Sequence, residues 1–225
     1  MIYSVVLLCV VVFAFVFIFL FQCDTNILEN YTNKLRNTGR NIVLIGDSML
    51  DNSPYVLSGQ SVSDLISKDL ENKTGTTLYN FAKDGATIND CYSQLDKVST
   101  DLNSSNTSIF LSVGGNNILN SRTRMNTTAI ANLFDQYLEL IKSIKSRIPN
   151  AQLYALNLYF PVNSHYKSYY DSITQWNKLL EDNTFQGYKL IQTNKLLVIE
   201  EDFTYDIEPS FKGGGKIAKS ILDSS

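Results

Sequence analysis

The sequence predicts an α/β fold, a five-stranded parallel sheet with helices packed on both faces, and two observations carry that prediction. From Asn41 onward, short apolar runs rich in Val, Ile, Leu, Tyr and Phe alternate with longer amphipathic stretches. One of those stretches, Thr128 to Arg147, places Ile130, Leu133, Phe134, Tyr137, Leu138, Ile141 and Ile144 at spacings of three and four, which makes a single apolar stripe on a helix.

Taken in chain order, the first element lies outside that domain. Residues 2–21 contain no charged side chain and consist mostly of Val, Leu and Phe, long enough to cross about 30 Å of hydrocarbon, and are expected to form a membrane helix. A cleaved signal peptide would show a basic start, a shorter apolar stretch and a small-residue cleavage site before Asp24, so an uncleaved single-pass anchor is the favoured reading of the two. The polar residues 24–40 read as a tether, and the domain itself as 41–225. Lys34, Arg36 and Arg40 after the segment favour a cytoplasmic domain. Glycosylation triplets at Asn30, Asn72, Asn103, Asn106 and Asn126 point the other way, but a chain this rich in Asn, Ser and Thr yields them by chance, and the side of the membrane stays open. Leu20-Phe21-Gln22-Cys23 is a poor lipidation site, because Gln22 stands where a small residue is needed.

Within the domain, the expected strands are Ile42 to Ile45, Thr77 to Phe81, Ser108 to Val113, Gln152 to Tyr159 and Tyr188 to Gln192. The expected helices are Val62 to Glu71, Ile88 to Val98, Thr128 to Arg147, Tyr169 to Asp182 and Gly214 to Leu222. Lys142, Lys145 and Arg147 near the end of the long helix read as cations placed against its dipole.

A formal charge of -3 gives no basic footprint for nucleic acid. Cys9 and Cys23 belong to the apolar segment and its exit, and Cys91 is alone in the domain, so no internal disulfide is implied; no metal-ligand cluster is visible. Gly213-Gly214-Gly215-Lys216 lacks the spacing and the following Ser or Thr of a phosphate loop. Trp176, Tyr166, Tyr169 and Tyr170 read as packing or pocket wall rather than a stacking platform.

In an open parallel sheet, ligands bind beyond the carboxyl ends of the strands. The loops there supply Gly46-Asp47-Ser48 after the first strand, Gly85 after the second, and Gly114-Gly115-Asn116-Asn117 after the third. A serine exposed at a strand-to-helix turn is a candidate nucleophile, and the amides of Ser48 and Gly85 with the Asn116 side chain are candidate oxyanion donors. Each has a plainer alternative: a common turn, a left-handed glycine, a helix cap.

Gly46-Asp47-Ser48, Gly85 and Gly114-X-Asn116 resemble the first three blocks of the SGNH, or GDSL, hydrolases. The resemblance covers nearly all of Asn41 to Leu222. It implies a three-layer flavodoxin-like fold, esterase, lipase or deacetylase chemistry, Ser48 as nucleophile, an oxyanion hole completed by Gly85 and Asn116, and no metal or cofactor. The family's final block, Asp-X-X-His before proline, is altered here: aligning on Pro209 puts Glu208 at the histidine and Tyr205 at the aspartate, with Asp202 and Asp206 nearby. The strings Asp51 to Val56 and Ile207 to Ser210 resemble a branch of the superfamily that carries glutamate at this point.

Glu208 is then the candidate base, provided that burial or a neighbouring carboxylate such as Asp206 raises its pKa. The single histidine, His165, is a rival that follows the fourth strand onto the same edge of the sheet. A third reading is a weakened or inactive domain that binds an ester-bearing lipid or glycan.

Overall fold

The first apolar run forms β1 (Asn41–Gly46), flanked by β2 (Thr77–Asn80) on one side and β3 (Thr107–Ser112) on the other. β4 (Gln152–Leu156) and β5 (Lys189–Ile191) extend the sheet, giving the order β2-β1-β3-β4-β5, parallel throughout. The computed structural model describes residues 39–71, 75–121 and 124–225, and Arg40–Ser225 forms one unit. The expected anchor at 2–21 and nearly all of the tether lie outside the described residues. Among the described residues, no helix is long and apolar enough to cross a membrane.

Burial explains which strands read clearly. β3 is buried at every position and β1 at all but its first, so their side chains need no alternation, as in strands covered on both faces. β2 is an edge strand and carries no fully buried residue.

The chain steps outward from β1 to β2, then crosses back over to β3 and continues in the other direction. Right-handed crossovers therefore place the first connecting helix on one face of the sheet and the later ones on the other. On the first face, α1 (Val62–Leu70) packs against α7 (Phe211–Ser224) at the chain's end. On the second, α2 (Ile88–Leu95) packs on α4 (Thr127–Arg147), and α4 on α5 (Tyr170–Asp182).

The helix starts are set by local chemistry. Ser61 Oγ accepts from Asp64 N at 3.1 Å while Asp64 Oδ2 accepts from Ser61 N at 3.2 Å, a capping box for α1. Asn126 Oδ1 accepts from Ala129 N at 2.8 Å to start α4. The α4 stripe buries Leu140 where Leu138 was expected; Leu138 is only half-buried at its margin.

Three features depart from the sequence-based expectation. The strand expected over Gln152 to Tyr159 stops at Leu156, because the Asn177 side chain on α5 takes over the backbone of Leu158. It accepts from Leu158 N at 2.8 Å and donates to Leu158 O at 2.7 Å. Two short helices, α3 (Gly115–Asn120) and α6 (Thr193–Leu196), were not foreseen. Nor was the antiparallel hairpin of β6 (Phe203–Thr204) and β7 (Glu208–Pro209), whose strands are too short to carry a periodic signal. Arg147 also does more than face a dipole: its guanidinium donates to Val98 O at 2.9 Å and Asp96 O at 3.0 Å beyond the end of α2.

The strand order reverses between β1 and β3, so the loops that follow their carboxyl ends lead to opposite faces of the sheet and leave a crevice there.

Candidate active site

β1 and β3 approach so closely at that crevice that Gly46 admits no side chain: a Cβ there would lie 1.9 Å from Ser112 O, and φ is +143°. The buried Gln94 side chain on α2 grips the same residue, accepting from Gly46 N at 2.7 Å and donating to Gly46 O at 2.9 Å. The chain then winds into a helical turn, with Leu50 N and Asp51 N both donating to Asp47 O at 3.0 Å. Ser48 rides on that turn and faces a cavity of about 60 Å³.

Besides three tyrosines, the polar residues that line the cavity are Asp47, Ser48, Asn116 and Glu208. Met49, Ile118, Leu119, Leu158 and Ile173 make much of its apolar wall, and Tyr159, Tyr166 and Tyr169 add an aromatic one. Trp176 stands behind this wall, fully buried and edge-on to Phe134 and Tyr137.

Asn116 is held from two sides. Gly114, at φ +115°, packs its backbone on Trp176, where a Cβ would meet Cζ2 at 2.4 Å, and this close approach starts α3. The Asn116 Nδ2 group donates one hydrogen to Ala86 O at 3.0 Å, tying the loop after β3 to the loop after β2 and leaving its second N–H without a partner among the described residues.

Glu208 arrives on the hairpin. Its tip places Tyr205 (φ 45°) and Asp206 (φ 70°) in left-handed backbone, uncommon for residues with a side chain. The tip is braced by the Tyr205 ring 5.6 Å from that of Tyr55 and by Asn163 Nδ2 donating to Asp206 Oδ1 at 2.7 Å. At the hairpin's base, the fully buried Asp202 accepts from Lys216 Nζ at 2.7 Å and from Val198 N at 3.0 Å.

Ser48 and Glu208 line the same cavity, with the Ser48 side chain close enough to lower the pKa of the Glu208 carboxyl, and Glu208 Oε2 is buried without a partner among the described residues. Burial raises the pKa of Glu208, the Ser48 contact pulls it partly back, and the charge of Asp84 adds to the rise. Asp47 is 4% exposed, and burial pushes its carboxyl up to about 7 despite bonds from Ser112 Oγ (2.7 Å) and Met49 N (3.2 Å). Burial together with the charges of Glu208 and Asp47 holds the Tyr159 phenol well above its ordinary value, so it stays a neutral donor.

The fold thus brings Ser48, Asn116 and Glu208 to one cavity, and two other candidates do not line it. Gly85 sits on an exposed turn at φ +76° and lines a neighbouring groove with Asp84 and Ala86, close to Asn116 through the Ala86 bond but outside the cavity wall. His165 is exposed on a short 3-10 turn and does not line the cavity, whereas its neighbour Tyr166 does. The carboxylate that bears on Glu208 is Asp84, whose Oδ2 accepts from Tyr55 OH at 2.9 Å, and not Asp206, which faces Asn163. Asp47 was not singled out. A carboxylate wedged between a fully buried strand and a buried serine was the available signal.

The family described as GDSL-like lipase/acylhydrolase matches residues 42–195 of the chain. No curated protein matches it by sequence. Among solved structures, it resembles a member of the lipolytic G-D-S-L family from Veillonella parvula, at 16% identity and TM-score 0.66, covering 82% of this chain and 97% of that one. An acetyl xylan esterase from Geobacillus stearothermophilus aligns at 13% identity and TM-score 0.61, covering 82% and 94%. A phospholipase A1 from Streptomyces albidoflavus aligns at 14% identity and TM-score 0.58, covering 83% and 99%.

Proposed function

The chain belongs to the GDSL-like lipase/acylhydrolase family and is a carboxylic-ester hydrolase, and from that premise we propose that Ser48 is its nucleophile and Glu208 its general base. The observation that carries the proposal is that Ser48 and the half-buried Glu208 carboxylate line one small cavity, close enough for Ser48 to lower the Glu208 pKa.

In this scheme, Ser48 Oγ attacks the ester carbonyl carbon while its proton passes to Glu208. The carbonyl oxygen becomes an oxyanion, received by the second N–H of Asn116 and by the backbone amide of Ser48. Collapse of the tetrahedral intermediate expels the alcohol, which takes the proton back from Glu208. Water then repeats the cycle on the acyl-enzyme and releases the acid.

A carboxylate of ordinary pKa is a poor base toward a hydroxyl, and the burial of Glu208 raises its basicity. Activity requires the ionised form, so the rate should fall on the acid side at a pH above the ordinary glutamate value of 4.5. The narrow apolar cavity fits a short acyl group. The apolar residues 2–21 support tethering to a membrane, and esters of lipids or glycans at that surface are then the proposed substrates.

The test is hydrolysis of a short-chain aryl ester by the full chain. Turnover should be abolished in Ser48→Ala, severely reduced in Glu208→Gln and retained in His165→Ala. Wild-type activity in Glu208→Gln together with its loss in His165→Ala would transfer the role of base to the histidine.

A further inference from the structure

The nucleophile and the carboxylate come from opposite ends of the domain, and one buried side chain joins the segments that carry them. Asn52 is 0% exposed and ends the helical turn on which Ser48 rides. Its Nδ2 donates to Pro209 O at 2.9 Å, the carbonyl of the residue directly after Glu208. Its Oδ1 accepts from Val62 N at 2.8 Å, the first residue of α1. Both ends of the amide are thus committed, one to the hairpin and one to a helix start.

The space and the two bonds together fit only this side chain. A Cβ at Gly214 of α7 would come within 3.1 Å of Asn52 Nδ2, so the helix presses directly on the amide. Glutamine is too long for the gap, an ionised aspartate offers no hydrogen to Pro209 O, and leucine matches the shape with neither bond. The β6–β7 pairing is only two residues long, and Ser210 N adds one bond to Asp202 O at 2.9 Å. None of these bonds sets the distance between the hairpin and the Ser48 turn. The Asn52 amide does.

We infer that Asn52 is a positioning residue for catalysis, holding Glu208 in register with the Ser48 hydroxyl through its bond to Pro209. This rests on the reading of Ser48 and Glu208 as nucleophile and base. Asn52 touches no substrate; it acts through the geometry of the pair. A displacement of about 1 Å between reacting groups costs on the order of 10² in rate. Loosening the pair also weakens the Ser48 contact that now lowers the pKa of Glu208, so that pKa should climb.

The experiment uses the full chain with p-nitrophenyl acetate as the probe, comparing Asn52→Asp and Asn52→Leu with wild type and Glu208→Gln. Asn52→Asp keeps the acceptor for Val62 N, which protects the fold; Asn52→Leu removes both bonds while keeping the branched shape with four heavy atoms. Expected in both is a kcat lower by about 10² with KM within about twofold, and an acid limb of the pH–rate profile moved to higher pH. Thermal unfolding in parallel gives the folded fraction to which each kcat is referred. Wild-type kcat per folded molecule with an unmoved acid limb would overturn the inference, leaving Asn52 a purely structural residue, even if Glu208→Gln is inactive. Full activity in Glu208→Gln would instead remove the base reading, and this inference with it.

Discussion

Replacing Asp47 with asparagine should stabilise the protein at neutral pH, although it alters the residue beside the nucleophile. In the folded chain, burial lets Asp47 keep its proton up to about pH 7, against 3.8 for an ordinary aspartate. Between those values the folded state binds the proton and the unfolded state does not, so stability falls as pH rises through the window. A gap of about three pH units corresponds to roughly 4 kcal/mol at 1.36 kcal/mol per unit, an upper bound reached only above pH 7. In Asp47→Asn, the amide oxygen keeps the bonds from Ser112 Oγ and Met49 N, and nothing titrates. Glu208 slopes the same way in both proteins and largely cancels in the comparison. Urea unfolding followed by fluorescence of Trp176, the only tryptophan and fully buried, measures the difference at pH 4.5 and pH 8. The variant should gain up to about 4 kcal/mol at pH 8 and far less at pH 4.5. An equal difference at both pH values would refute the argument that Asp47 is held neutral by burial.

Three further outcomes follow from the same geometry. Asn116→Ala should lower kcat for an aryl ester by about 10²–10³ with little change in KM, as expected for a donor used only in the transition state. Lys216→Met should cost about 3–5 kcal/mol in chemical unfolding at pH 7, because it leaves the buried Asp202 without its cation. Burial alone would raise the Asp202 pKa, but the bonds from Lys216, Val198 and Ile199 outweigh it and lower it, so this cost should shrink as pH falls below about 4. Gly114→Ala forces a side chain into left-handed backbone against the Trp176 ring; the backbone strain alone costs about 1–3 kcal/mol, measured as a shift of the urea midpoint.

The central strands and α4 were legible because their burial is uniform or strictly periodic, and burial of that kind is written directly in residue type. Ser48 was legible because its turn follows such a strand, and Glu208 because Pro209 fixes its place in a short motif. What escaped depends on contacts distant in sequence. β4 ends at Leu156 because Asn177, nineteen residues beyond Leu158, captures that residue's backbone. The carboxylate that raises the Glu208 pKa is Asp84, from a loop more than a hundred residues earlier, while the nearer Asp206 is turned toward Asn163. The link between the Asn52 amide and Pro209 spans 157 positions and has no local signature. Gly85 carried the expected turn, but whether that turn enters the cavity is decided by how the β2 and β3 loops meet at Ala86 and Asn116.

The central claim is that Ser48 is activated by the Glu208 carboxylate, and covalent labelling by a fluorophosphonate tests it most directly because it needs no knowledge of the substrate. Mass spectrometry should find the wild-type chain modified at Ser48 and no modification in Ser48→Ala. In Glu208→Gln the labelling rate should be at least about 10²-fold slower. No labelling of the wild-type chain between pH 4 and 9, or labelling of Glu208→Gln at the wild-type rate, would contradict the account.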